Sequence, residues 1–195
     1  IRSGYDFHHP LLNRLAADRE NHPLVVITCH RRENWGRPME QIFQAISRLA
    51  RRYPHYRFVY PVHLNPAIRK LAESILGQET NVHLVEPLDY APFANLLAAA
   101  TLILTDSGGI QEETTALGVP CLTIRNNTER PITVEQGTNT LIGTDPQALL
   151  AGVDDILANG GKRGRAPEYW DGKAAERIAA HLADWLATHE RAPRP

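Results

Sequence analysis

The chain has 195 residues, a formal net charge of −1, 43% hydrophobic and 22% charged residues, and two cysteines. That length holds a sizeable core for one large domain or two small ones, and the balanced charge argues against a general nucleic-acid binder, leaving room only for a local basic patch. The longest nearly apolar run, residues 96–104, is too short to cross a bilayer, no signal-peptide pattern opens the chain, and Cys29 and Cys121 suit neither a disulfide framework nor a zinc site.

In chain order, Leu24-Val25-Val26-Ile27-Thr28 is the first buried-strand run. Met39, Ile42, Phe43, Ile46 and Leu49 follow at 3.6-residue spacing, an amphipathic helix opened by Pro38, with Arg48, Arg51 and Arg52 complementing its dipole at the C-terminal end. Tyr56-Arg57-Phe58-Val59-Tyr60 is the second strand, and Asn65-Pro66 caps a helix that Gly77 stops. A third strand is expected over 82–85, a helix over 92–100, a fourth strand over 102–104, a helix over 110–117 closed by Gly118, and a fifth strand over 120–124. Thr140-Leu141-Ile142 suits a short sixth strand, and a helix runs from Asp145-Pro146 to Leu157. Beyond a charged, Gly-containing stretch, a last helix carries Ala174, Ile178, Leu182, Trp185 and Leu186 on one face. Residues 1–22 read as a linker and entry helix, 23–190 as one domain, and 191–195 as a disordered tail.

Short strands separated by single helices imply right-handed crossovers and a parallel sheet. The expected fold is therefore α/β, a doubly wound, Rossmann-like parallel sheet. Ligands of such sheets bind at the carboxyl ends of the strands, and the polar clusters of this chain lie there.

After the fourth strand comes Thr105-Asp106-Ser107-Gly108-Gly109 and then a helix. Two glycines let a phosphate approach the backbone, the first helical amides offer donors, and Ser107 adds a hydroxyl. Glu113, expected in the first turn, would repel a phosphate but suits a ribose diol, which hints at a nucleoside diphosphate. A plain strand-to-helix turn accounts for the same residues. The pattern is neither a Walker loop nor Gly-x-Gly-x-x-Gly.

After the first strand, His30, Arg31 and Arg32 suit an anion clamp, with a solvated basic turn as the alternative. His63 follows the second strand, where a lone histidine is more often structural. Arg130 lies in a polar loop before Ile132 and is suited either to a diphosphate or to solvent. Phe93 is placed to stack on a base or to sit in the core. The nine histidines show no metal-ligand spacing, and Asp106-Ser107-Gly108 lacks the first glycine of a nucleophile elbow.

Taken together, Cys29-His30-Arg31-Arg32-Glu33-Asn34, Tyr60-Pro61-Val62-His63-Leu64-Asn65-Pro66, Thr105-Asp106-Ser107-Gly108-Gly109-Ile110-Gln111-Glu112-Glu113, Leu117-Gly118-Val119-Pro120 and Thr128-Glu129-Arg130-Pro131 resemble the C-terminal half of the non-hydrolysing UDP-N-acetylglucosamine 2-epimerases. The motifs occur in unbroken order between about Leu24 and Leu157. The chain departs from the family at Cys29, where glycine is common, and at Glu168-Tyr169-Trp170.

The resemblance implies the C-terminal half of a glycosyltransferase-B-like fold, with UDP-N-acetylglucosamine or UDP bound in a cleft between two Rossmann-like domains. It implies a homodimer at full length; no cofactor, metal, nucleic-acid or membrane partner is expected, and the two cysteines suit buried reduced thiols in a cytoplasmic protein. On the matching positions Ser107, Gly108 and Gly109 would hold the diphosphate, Arg130 would add charge, and Glu113 would take the ribose hydroxyls. Phe93 would flank the uracil, with the backbone near Leu88 reading its edge. His30 matches the active-site histidine, and Arg31, Glu33 and His63 match a second UDP-sugar site of bacterial members. The catalytic carboxylates are implied to lie in an N-terminal domain preceding Ile1. A glycosyltransferase half and a non-catalytic UDP-sugar-binding module share the fold. The pair His30-Arg31-Arg32-Glu33 and Thr128-Glu129-Arg130-Pro131 favours the epimerase over the glycosyltransferase.

Overall fold

The computed structural model describes residues 4–189, so the tail expected at 191–195 lies outside the described residues. In chain order the elements are α1 (Pro10–Ala17), β1 (Leu24–Thr28), a 3-10 turn (Arg32–Asn34), α2 (Arg37–Arg52), β2 (Arg57–Pro61), α3 (Pro66–Leu76), β3 (Val82–Val85) and α4 (Tyr90–Ala99). They continue with β4 (Leu102–Thr105), α5 (Gly108–Leu117), β5 (Cys121–Thr123), α6 (Pro131–Glu135), β6 (Asn139–Leu141), α7 (Pro146–Asn159) and α8 (Ala174–Thr188).

All six strands are parallel, in the order β3-β2-β1-β4-β5-β6. β1 is buried along its whole length, so both of its faces need cover. Val25 and Ile27 face α2, α3 and α7 through Phe43, Ile46, Ala72 and Val153. Leu24 and Val26 face the opposite layer, where Leu12 and Leu15 of α1, Leu96 and Leu97 of α4 and Ile110 of α5 enclose them. This period-two division of an apolar run between two helical layers is what a doubly wound sheet requires.

Local chemistry accounts for the element ends. Asn65 accepts the amide of Ala67 at 2.9 Å, Asp145 accepts that of Gln147 at 3.1 Å, and each is followed by a proline inside its helix. Gly118 closes α5 at φ +71°, a left-handed conformation that L side chains rarely adopt.

Besides shifts of one or two residues at the ends of β2, α4, β5, β6 and α7, three features differ from the sequence-based expectation. α5 starts at Gly108 rather than Ile110, because extended Ser107 serves as its N-cap and the glycines occupy the first turn. α6, started by Pro131 at the end of the expected loop and too short to show periodicity, is not part of that expectation. α8 forms where the 3.6-residue pattern places it, yet none of its residues is buried. Ile178, Leu182, Trp185 and Leu186 remain 59%, 51%, 49% and 62% exposed.

Candidate functional site

The sheet order reverses between β1 and β4, so the connections leaving these two neighbouring strands diverge to opposite sides. A crevice opens at their carboxyl ends, the usual ligand position in doubly wound sheets. The hydroxyls of Thr28 and Thr105, the last residues of β1 and β4, share a hydrogen bond of 2.6 Å.

The next residue, Asp106, is fully buried, and a carboxylate survives there only with a full set of donors. Its oxygens accept the backbone N–H of His30 at 3.0 Å, the N–H of Arg31 at 2.9 Å and the side-chain amide of Asn34 at 3.0 Å. The His30 Nδ1 atom lies 3.5 Å from the same carboxylate. Asp106 thereby ties the loop after β1 to the loop after β4 and sets the place of His30 and Arg31.

A cavity of about 350 Å³ occupies the crevice, and His30, His63, Leu88, Phe93, Ser107 and Ile110 are among its lining residues. The two imidazoles are stacked, with centroids 5.9 Å apart and an interplanar angle of 3°. His63 Nδ1 accepts the Asn65 N–H at 3.0 Å, which leaves Nε2 as the protonated nitrogen of the neutral ring. Phe93 packs on the core beneath α4 and also lines the cavity. Cys29 lines the cavity too. Burial, with the Asp106 charge beside it, pushes that thiol well above its ordinary range and keeps it protonated.

The amino end of α5 closes one side of the crevice. The Ser107 amide donates to Thr105 Oγ1 at 3.0 Å, while the Ser107 hydroxyl makes no capping bond to the helix. A Cβ built on Gly108 would sit 3.6 Å from Glu129 Oε2 and 3.7 Å from Arg31 Nη2, whereas one on Gly109 would meet nothing within 4 Å. The first turn of α5 is thus exposed at Gly109 and has an arginine and a glutamate beside buried Gly108.

The early start of α5 corrects the placement of Glu113, which lies in the second turn rather than the first. It does not line the cavity. Its partial burial, reinforced by neighbouring Glu112, raises its carboxyl above the usual carboxylate range. Arg130 also lies outside the cavity lining, with its Nε 2.8 Å from the Glu112 carboxylate.

The expected two-arginine clamp is corrected as well. Arg31 turns toward Gly108 and Glu129, but the Arg32 guanidinium lies over the Trp35 ring, 5.9 Å from its centroid. Sequence spacing carries no sign of these different partners. Glu33 is not among the cavity-lining residues and accepts from Arg125 Nε at 2.9 Å.

Two buried polar residues escape sequence reasoning. Arg125, 4% exposed, follows the β5 run and binds carboxylates from two loops. Gln111 is fully buried in α5, where its Oε1 accepts from the Thr128 hydroxyl at 2.5 Å and the Asn139 amide at 3.1 Å. It anchors the loop that carries Arg130. Arg125 is detectable by one signal, its position just past an apolar strand at the carboxyl edge of the sheet. Gln111 offers none, because a glutamine within a helix is ordinarily solvated.

Among the described residues, no three His, Cys, Asp or Glu side chains gather as a metal site, and no helix is long and apolar enough to cross a membrane.

Residues 5–183 match the family model described as UDP-N-acetylglucosamine 2-epimerase. The UDP-N-acetylglucosamine 2-epimerase of Bacillus subtilis (strain 168) is 41% identical over 186 residues, covering 93% of this chain and 47% of that protein. The crystal structure of UDP-GlcNAc 2-epimerase from Neisseria meningitidis bound to UDP-GlcNAc superposes with a TM-score of 0.81 at 35% identity, covering 91% of this chain and 50% of that one. The S. aureus MnaA-UDP co-structure superposes with a TM-score of 0.84 at 36% identity, covering 99% and 51% of the respective chains. The chain thus spans about half the length of the curated relatives it matches.

Proposed function

The chain belongs to the UDP-N-acetylglucosamine 2-epimerase family, and on that premise we propose that it is the C-terminal, nucleotide-sugar-binding half of such an isomerase. One observation carries this reading: the open amino end of α5, Arg31 and the His30–His63 cavity converge on the crevice between β1 and β4.

In this proposal Ser107 and the amides of Gly108 and Gly109 take the diphosphate, where the helix end favours an anion. Arg130, anchored on Glu112, adds positive charge along the same helix. Glu113 accepts hydrogen bonds from the ribose hydroxyls, a use that favours its ionised form despite partial burial. The uracil lies against Phe93, with the backbone near Leu88 at its edge. Arg31, Glu33 and His63 are proposed to serve a second UDP-sugar site on the His30 side.

The proposed reaction interconverts UDP-N-acetylglucosamine and UDP-N-acetylmannosamine. The C2 proton of the sugar is not adjacent to a carbonyl, so direct enolisation is closed. Elimination breaks the C1–O bond to the diphosphate as the C2 proton leaves. UDP then re-adds to the glycal with protonation of C2 from the other face, without hydrolysis. This chain's part is to stabilise charge on the departing diphosphate through the α5 amides, Arg130 and His30. The carboxylates that move the proton are proposed to belong to the other half of the enzyme. That half also supplies cover for the apolar face of α8, which this chain leaves exposed. A homodimer of full-length chains in the cytoplasm completes the proposal.

Isothermal calorimetry tests it directly. The 195-residue chain is expected to bind UDP weakly and to show no turnover of UDP-N-acetylglucosamine. Absence of binding at millimolar UDP would count against the site, and turnover by this chain alone would place the missing carboxylates within it. Glu113→Ala should weaken UDP about tenfold while leaving pyrophosphate affinity nearly unchanged, because Glu113 is assigned to the ribose. Equal losses for the two ligands would remove that role.

A further inference from the structure

Arg125 has no part in the roles above, yet it is the most enclosed cation of the crevice, with its side chain 4% exposed. Nε donates to Glu33 at 2.9 Å, Nη1 and Nη2 donate to the two oxygens of Glu129 at 2.8 and 2.9 Å, and Nη2 also reaches Asn127 at 3.3 Å. One guanidinium therefore holds a carboxylate from the loop after β1 and another from the loop after β5. Of the two, Glu129 borders the amino end of α5. Glu129 Oε2 lies 3.9 Å from Arg31 Nη2 and 3.6 Å from where a Cβ on Gly108 would be.

The hydrogen bonds from Arg125 hold the Glu129 carboxyl down to about 2, so it is ionised at any ordinary pH. A fixed negative charge beside the first turn of α5 opposes an incoming diphosphate unless a cation cancels it. Arg31, Arg125, Glu33 and Glu129 together sum to zero, and the partial positive charge of the helix end is left unopposed. Without Arg125 the same group carries a charge of −1 and Glu129 is free to swing onto Arg31 and the helix amides.

We infer that Arg125 is a positioning residue for the diphosphate: it neutralises Glu33 and Glu129 and keeps Glu129, which sits beside the first turn of α5, from turning onto the helix amides. The inference rests on the diphosphate placement proposed above. It assigns Arg125 no contact with substrate, and its effect reaches the ligand through the carboxylates it restrains.

UDP titrations of the 195-residue chain at low salt provide the test. Arg125→Met is expected to bind UDP about tenfold or more weakly, with the loss shrinking in roughly 0.5 M salt as screening shortens to a few ångströms. Adding Glu129→Gln to that variant should restore most of the affinity, which loss of packing alone would not allow. Glu129→Gln by itself, which keeps Arg125 and most of the buried contacts, should tighten UDP several-fold. A double variant as weak as Arg125→Met, or Glu129→Gln that binds UDP no better than wild type, would overturn the inference. If the wild-type chain binds no UDP, the diphosphate placement falls and the inference with it. Wild-type binding without the Glu129 effects removes the inference alone.

Discussion

Asp106→Ala is expected to lower the unfolding free energy by about 3–5 kcal/mol and to abolish UDP binding by whatever fraction remains folded. The carboxylate is wholly buried and satisfies three donors on the neighbouring loop, the amides of His30 and Arg31 and the side chain of Asn34. Truncation strands all of them in a site with no other acceptor for them within the hydrogen-bonded set. Asp106→Asn should recover much of the loss, since the three bonds all end on Oδ2 and an amide oxygen in that place keeps them, while its NH2 group faces His30 Nδ1. Urea unfolding monitored by circular dichroism measures the loss. A change below about 1 kcal/mol would mean that the loop finds substitute acceptors, and that Asp106 does not place His30.

Phe43→Ala should cost a similar amount, about 3–5 kcal/mol, through the cavity it opens beneath α2. Its ring is fully buried on the helical layer formed by α2, α3 and α7, tilted against Tyr60 at a centroid distance of 5.6 Å. Tyr60 in turn donates to the carbonyl of Cys29 at 2.7 Å, one residue before His30. The core beneath α2 thus supports the crevice from below. Phe43→Leu should cost less, about 1–1.5 kcal/mol, because most of the volume is kept. Thermal unfolding distinguishes the two variants, and equal midpoints for both would contradict a volume-controlled loss.

Much of this molecule is legible locally. The runs at residues 24–28 and 82–85 coincide with β1 and β3, and Asn65, Pro66 and Gly77 mark the bounds of α3, because capping and apolar periodicity act over a few residues. The candidate site is legible as a set of polar clusters following strands, and five of its expected residues, His30, His63, Leu88, Phe93 and Ser107, do line one cavity. Its interior is not. Which way Arg31 and Arg32 turn, and which carboxylates Arg125 holds, depend on contacts with residues as far as 92 positions away.

By itself, then, the sequence determined the alternation of strand and helix, the period-two apolar faces and the polar residues that follow the strands. These are consequences of backbone geometry and local burial. Only the tertiary structure decided that β1 lies between β2 and β4, which brings His30 within reach of Asp106 across 76 residues. The physical reason is that strand order minimises exposed apolar surface over the whole sheet, a sum that no short window of residues contains. The same limit explains α8: its pattern required a helix, but only the tertiary structure shows that Ile178 and Trp185 stay exposed among the described residues.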